Sequence, residues 1–206
     1  DAAHAFVVKF KNKSVLSYGD ISTLSFHATK IFHTIEGGAL IINDDSLVEK
    51  ARYLINFGIK NKNEIPELGI NAKMNEFEAA MGLCVLDDIN ELNLERSLIY
   101  DFYKNELDGL VIFQEQNCDS TPNHSYFPII LESEDQLKIV ENALNKNAIF
   151  PRRYFYPSLD TLSYIKQNQF CEISRNIASR VLCLPIYPGL EIKQQKLISE
   201  IIKNEV

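Results

Sequence analysis

The stretch Ser25-Phe26-His27-Ala28-Thr29-Lys30 decides how this chain is read. Residues 21–26 mix small and β-prone side chains and predict a strand that brings the Ser25 hydroxyl and the Lys30 amine to its end. A Glu36-Gly37-Gly38 turn follows. Next comes Ala39-Leu40-Ile41-Ile42, a near-continuous apolar run that predicts a strand buried on both faces. The opening Asp1-Ala2-Ala3-His4 supplies a carboxylate and an imidazole and reads as the distant partner of this strand.

Working outward, residues 5–10 are strand-like, 11–14 look like a turn, and 15–18 lead through Gly19-Asp20 into the strand at 21–26. Ser46-Leu47-Val48-Glu49 has the spacing of a capping box and predicts a helix to about residue 57, stopped by Gly58. Residues 59–68 are polar and irregular, and Gly69-Ile70-Asn71-Ala72-Lys73-Met74 leads to a second helix start, Asn75 with Glu78. Phe77, Ala80, Met81 and Cys84 fall at helical spacing and predict a core-facing side, with helix continuing to about residue 107. Beyond Gly109 the spacing predicts strands at 110–114 and 126–131, and a helix from the Ser133 cap to 145. An extended basic-aromatic piece at 152–157, a helix at 173–181, extended chain at 184–188 and a terminal helix at 192–203 complete the reading. This alternation predicts an α/β chain, with part of a larger α/β domain over 1–95 and a smaller α+β domain over 96–206.

Composition narrows the function classes. The chain has 206 residues, 46% of them hydrophobic and 24% charged, which suffices for real cores. A formal net charge of −7 argues against nucleic acid or an anionic membrane as the main partner, since both reward a basic surface. No apolar run reaches membrane-spanning length. Cys84, Cys118, Cys171 and Cys183 are widely spaced and predict reduced thiols in a cytoplasmic protein, and neither they nor the four histidines show metal-ligand spacing.

The chemistry follows from the side chains at the two ends of the pattern. A desolvated lysine can hold an aldehyde as an imine and, once freed, shuttle protons; a hydroxyl can grip a phosphate. Asp1 can pair with a protonated pyridine nitrogen. At ~4 Å in an effective dielectric of ~20 that is worth roughly 4 kcal/mol, about three pKa units. His4 can reach the phenolic oxygen of the same ring, and Ser25 and Asn71 are the phosphate candidates. Taken singly, each has an ordinary reading: a solvated lysine, a terminal acid, a buried hydroxyl and a turn former. His27, His33 and Thr29 read as structural. A carboxylate that must be held to about half an ångström needs support on both sides, so a chain beginning on Asp1 is expected to be the later part of a longer protein.

Asp1-Ala2-Ala3-His4, Gly19-Asp20, Ser25 to Lys30, Glu36-Gly37-Gly38 and Gly69 to Met74, in that order, resemble the DegT/StrS-type sugar aminotransferase family. The resemblance implies the aspartate-aminotransferase-like fold, with this chain the later half of the pyridoxal-phosphate domain plus the small C-terminal domain. It implies pyridoxal 5'-phosphate on Lys30, Asp1 at the pyridine nitrogen and His4 at the phenolic oxygen. Ser25 would lie at the phosphate and Asn71 would reach the phosphate of the neighbouring subunit of a homodimer. It further implies transfer of an amino group from glutamate to a nucleotide-linked keto sugar, the SFHATK wording being nearest to members acting on dTDP-4-keto-6-deoxy sugars. Such products feed lipopolysaccharide and O-antigen synthesis.

Lys73 stands where that family often has arginine, and Pro157-Ser158-Leu159-Asp160 lacks a histidine often found there. Competing readings are a dehydratase of the same fold, which would replace Lys30, and a regulatory protein, which would lose Asp1 or Lys30. An inactive fragment lacking half of its cofactor pocket is the third. Arg152, Arg153, Tyr154 and Tyr156 read either as a clamp for a nucleotide diphosphate or as a charged strand edge with tyrosines packed inward.

Overall fold

Ladder pairing of residues 21–25 with 38–42 organises the first half of the chain. The computed structural model describes residues 1–166 and 169–206. In chain order its strands are β1 (Lys9–Phe10), β2 (Lys13–Ser14), β3 (Ile21–Ser25), β4 (Gly38–Ile42), β5 (Ile112–Phe113), β6 (Ser120–Thr121), β7 (Phe127–Ile130) and β8 (Val181–Leu184). Its α-helices are α1 (Val48–Leu54), α2 (Glu76–Glu106), α3 (Glu134–Lys146), α4 (Glu172–Arg180) and α5 (Ile192–Glu205). Two compact units emerge, residues 1–92 with 117–123, and residues 93–116 with 124–206.

In the first unit β3 and β4 pair antiparallel, Ile21 opposite Ile42 through to Ser25 opposite Gly38. A Cβ on Gly38 would sit 2.7 Å from the Leu24 carbonyl oxygen, so this register needs glycine there. One face of the hairpin turns inward. Leu24, Ala39 and Ile41 pack with Phe26, Phe32 and Val85, and each fully buried large apolar side chain contributes about 1.5–3 kcal/mol. The other face is more open: Ile21 and Leu40 are exposed, and Leu40 with Ile42, Ala51 and Ile55 borders a groove of about 660 Å³. The expectation of a strand buried on both faces is therefore corrected, because among the described residues β4 pairs with β3 alone, and on this face Leu40 is exposed and Ile42 only half-buried.

Helix α2 begins as its sequence predicts. The Glu78 N–H donates to Asn75 Oδ1 (2.9 Å) and the Asn75 N–H to Glu78 Oε2 (3.2 Å), a reciprocal capping box. Its buried side in this unit shares only Met81 with the predicted one. Met81, Val85, Ile89 and Leu92 face the core, whereas Phe77 is 89% exposed and Ala80 and Cys84 are exposed. Gly82 explains the rotation. A Cβ there would come within 2.8 Å of Thr34 Cγ2 and 3.4 Å of the Phe32 ring, so the helix makes its closest approach at a residue that apolar spacing does not count. Asp44, not Ser46, caps the turn before α1, accepting from the Ser46 N–H at 2.9 Å. The N-terminal strand is shorter than predicted, with turns over residues 2–8 and only Lys9–Phe10 paired, to β2 and β6. Residues 15–17 form a 3₁₀ turn.

The second unit is a three-stranded antiparallel sheet, β5-β7-β8, covered by helices. Phe127, Ile129, Leu182 and Leu184 from the sheet meet Leu137, Val140 and Leu144 of α3 and Ile198 and Ile202 of α5. Tyr103 and Leu107 close the same core. Ser133 caps α3 by accepting from the Gln136 N–H (3.1 Å), and Glu191 with Gln194 makes the capping box of α5. Strand β8 starts at Val181, where helix was predicted. Its four residues are all buried, since β7 pairs on one side and the Arg152–Cys183 bridge lies on the other. In the loop before α4, Asp160 accepts from the Ser158 hydroxyl, the Cys171 N–H (3.0 Å) and Arg175 Nε (2.7 Å).

Two outcomes follow. Gly82→Ala gains about 1 kcal/mol of helix propensity but forces Thr34 and Phe32 aside at a cost of about 1–3 kcal/mol, so thermal melts of the full-length protein show a lower midpoint. The hydrogen bonds and Arg175 hold the Asp160 carboxyl down at about 2. Its contribution is thus complete above the ordinary carboxylate range near 4 and lost as pH falls toward about 2. The stability gap between wild type and Asp160→Asn, measured by melts from pH 7 to pH 2, therefore narrows across that interval.

Candidate active site

A loop closed at its base presents the lysine. Beyond β3 the Phe26 N–H donates to the Gly37 carbonyl (2.9 Å) and the Thr34 N–H to the Phe26 carbonyl (3.0 Å), so residues 26–34 form a loop with Lys30 at its middle. The Lys30 N–H donates to the His27 carbonyl at 2.9 Å, tightening the turn before it. Ile31 and Phe32 beside it are buried, and the Lys30 side chain is half-buried. Thr34 fixes the exit of the loop with its hydroxyl donating to the Glu36 carbonyl. Gly37 (φ +146°) leaves room for that hydroxyl, 2.4 Å from where a Cβ would stand.

The N-terminal segment is stitched to the same strand. The Ala2 N–H donates to the Thr23 carbonyl at 2.9 Å, two residues before Ser25. Asn123 Nδ2 donates to the carbonyls of His4 and Phe6, both at 2.9 Å. Phe6 stacks on Phe32 (centroids 4.4 Å, 14° between planes), and Phe26 meets Phe32 edge-on at 4.7 Å. His4 is thus held between an anchor at Ala2 and one at Phe6, close enough to Lys30 to feel its charge. Partial burial first, and the Lys30 ammonium second, push the imidazole below its ordinary range, so it is neutral at pH 7. Asp1 is exposed, and its Oδ1 accepts from the Ala3 N–H at 3.0 Å. Ser25 lies opposite Gly38 at the end of the ladder, its Oγ 3.5 Å from the His27 N–H. His27 and Thr29 are engaged locally, Nδ1 to Oγ1 at 2.9 Å.

The bond from Ala2 to Thr23 lays the Asp1–His4 segment beside β3, which ends on Ser25 and leads into the Lys30 loop. Asn71 is held elsewhere in the same unit. It bridges Asn56, its Oδ1 accepts from Lys73 Nζ at 2.7 Å, and Lys73 lies over the Phe57 ring. Met74 links this segment to the Glu36 turn, its Cε 3.0 Å from a Cβ built on Gly37. Gly58 (φ +76°) and Gly69 touch back to back, a Cβ on Gly69 meeting Gly58 N at 2.1 Å, which fixes the loop carrying Asn71. Sequence reasoning missed Phe6, Thr34, Gly82 and Asn123. Asn123 is 119 residues from the carbonyl it binds and carries no local signal.

An amine, a neutral imidazole, a carboxylate and a hydroxyl suit a phosphorylated aldehyde with a basic ring. The amine can condense, the imidazole can donate to a phenolate and the carboxylate can pair with a ring N–H. Among the described residues no group of three His, Cys, Asp or Glu could hold a metal. In the second unit Arg153 is committed to structure. It pairs with Glu134 (3.2 Å), donates to the Ser179 carbonyl (2.8 Å) and lies 3.6 Å over the Tyr156 ring. Half of the arginine pair considered as a clamp is thereby unavailable.

Comparison with known proteins identifies the family. Residues 1–203 match the model of the DegT/DnrJ/EryC1/StrS aminotransferase family. The chain is 41% identical over 197 residues to a dTDP-4-amino-4,6-dideoxy-D-glucose transaminase of Shigella dysenteriae, covering 92% of this chain and 54% of that protein. It is 30% identical to a GDP-perosamine synthase of Vibrio cholerae, covering 99% of this chain and 58% of that one. Among solved structures, DesI in the presence of its TDP-sugar product superposes with a TM-score of 0.90 at 29% identity, covering 99% of this chain and 54% of that chain. The chain spans about half the length of the relatives it matches, with the mixed helix-and-sheet architecture of the later part of an aspartate-aminotransferase-like fold. It belongs to the DegT/DnrJ/EryC1/StrS aminotransferase family.

Proposed function

We propose that the whole protein carrying this chain transfers an amino group from glutamate to a nucleotide-linked keto sugar, a dTDP-4-keto-6-deoxyhexose, using pyridoxal 5'-phosphate. The observation that supports the reading is the clipping of the Asp1–His4 segment onto β3, the strand that leads into the Lys30 loop. Bound there, the cofactor supplies an electron sink for the carbon losing or gaining the amino group. Lys30 anchors it and, when released, carries the proton between substrate and cofactor. Its place at the centre of a loop pinned at Phe26 and Thr34 keeps that amine aimed. Asp1 holds the proton on the ring nitrogen, and His4, kept neutral beside Lys30, donates to the ring oxygen. Ser25 binds the phosphate with the N–H groups at the start of the loop.

Asn71 serves the phosphate of a second subunit in a homodimer. The exposure of apolar residues near it in the chain supports this: Leu68 is 95% exposed, and Ile65, Ile70 and Phe77 are also bare. Unpaired Cys84, Cys118, Cys171 and Cys183 fit a cytoplasmic setting. The aminated product is of the kind consumed in O-antigen assembly. Retention of both Lys30 and Asp1 favours this over a sensor protein of the same fold.

With full-length protein loaded with pyridoxal 5'-phosphate, borohydride leaves a covalent mark on the Lys30 peptide and abolishes a visible absorption band. Lys30→Ala shows neither, and a mark on another lysine rejects the assignment. Asp1→Asn retains cofactor but turns over at least about 100-fold more slowly, as expected when roughly 4 kcal/mol of ring-nitrogen stabilisation is lost. Sedimentation gives a dimer that Leu68→Glu weakens, whereas a wild-type monomer at micromolar concentration removes the second-subunit role of Asn71.

A further inference from the structure

After β5 the chain returns to the first unit for residues 117–123 and then leaves it again. Strand β6 of this return segment lies against β1, with Lys9 opposite Thr121 and Phe10 opposite Ser120, and the Lys11 N–H donates to the Asp119 carbonyl at 2.8 Å. Continued by two residues, that register sets Asn123 opposite Val7, whose φ of +60° breaks the extended backbone. The ladder stops there, and a side chain takes over from it.

Asn123 is 6% exposed, and its Nδ2 donates to the carbonyls of His4 and Phe6, both at 2.9 Å. The turns around them use other carbonyls: the Ala5 N–H donates to Ala2 and the Val8 N–H to Ala5. A primary amide has two N–H donors, so one side chain holds both acceptors and fixes the backbone between them. Phe6 in turn stacks on Phe32, which lies in the Lys30 loop. Amide and stack together hold the chain on one side of His4, and the bond from Ala2 to Thr23 holds it on the other. The grip is on the His4 peptide itself, so losing the amide releases the residue that carries the imidazole.

We propose that Asn123 is a positioning residue: by holding the carbonyls of His4 and Phe6 it sets where the His4 imidazole stands relative to Lys30. The return of residues 117–123 to the first unit supplies this clamp. The inference deepens the amino-transfer reading and rests on it only for what His4 then does, which is to donate to the ring oxygen of the cofactor. The placement itself belongs to the chain and is measurable without cofactor. Asparagine suits the task because it offers two donors and no charge, whereas a carboxylate of the same shape has no N–H to give.

The test follows the His4 imidazole by NMR in cofactor-free full-length protein. In Asn123→Ala its midpoint moves up toward 6.5, because a released segment loses both its partial burial and its nearness to the Lys30 ammonium. Adding Lys30→Met then has less effect than it has in the wild type. The substitution removes no charge, so the shift reports placement. Ser133→Ala, which removes the α3 cap in the second unit, lowers the melting midpoint and leaves His4 at its wild-type midpoint. Asn123→Ser, with one O–H in place of two N–H donors, moves the midpoint in the same direction and carries the test if Asn123→Ala does not fold. A folded Asn123 variant whose His4 titrates as in the wild type overturns the proposal, as does an equal shift in Ser133→Ala. Loaded with pyridoxal 5'-phosphate, Asn123→Ala displaces the visible absorption band from its wild-type position. An unmoved band with a moved His4 midpoint supports the placement and counts instead against the ring-oxygen role of His4.

Discussion

The hydrogen bond from the Ala2 N–H to the Thr23 carbonyl, backed by the stack of Phe6 on Phe32, is the constraint on which the candidate site depends. Without it Asp1 and His4 belong to a free segment, and the side-chain entropy of four residues opposes any fixed geometry. With it, the segment carrying the carboxylate and the imidazole lies beside the strand that carries the hydroxyl and leads into the loop of the amine. The support is layered. Asn123 ties down the carbonyls of His4 and Phe6, Phe32 seats Phe6, and Gly82 lets α2 close over Phe32 and Thr34. Each support acts on backbone or on apolar contact.

The hairpin of β3 and β4, the capping box at Asn75 and the helices opened by Ser133 and Ile192 were legible because their signals are local: a cap, a glycine turn, a period. The two-face burial of β4 was misread because an apolar run reports what a strand would tolerate, not which layers this chain places over it. Phe77 was assigned to the core because apolar spacing weights side chains by hydrophobicity. The true face of α2 turns on Gly82, whose contribution is the absence of a side chain. Strand β8 was hidden because Val181 follows Arg180 of α4 with no glycine or proline between them, and only pairing with β7 and the Arg152 bridge makes Val181 to Leu184 strand.

The site residues were legible in a different sense. Their types and order carried the resemblance, but nothing local in the sequence shows that the segment opening with Asp1 lies beside the strand that leads into the Lys30 loop. That follows from long-range bonds such as Asn123 to His4. The arginine pair at 152 and 153 shows the same limit. Identical neighbours in sequence have opposite fates: Arg153 is consumed by Glu134 and the Ser179 carbonyl, and Arg152 is left facing outward beside aromatic rings. The departure at Asp160 also has a structural account. The carboxylate is the hub of three hydrogen bonds that close the loop ahead of α4.

The juxtaposition of His4 and Lys30 is tested most directly by following the His4 imidazole by NMR in cofactor-free full-length protein across pH 4 to 8. The account predicts a midpoint below the ordinary value of 6.5 that moves upward in Lys30→Met, since removing the ammonium removes one of the two forces that hold it down. An imidazole titrating at its ordinary value and indifferent to Lys30 would contradict it.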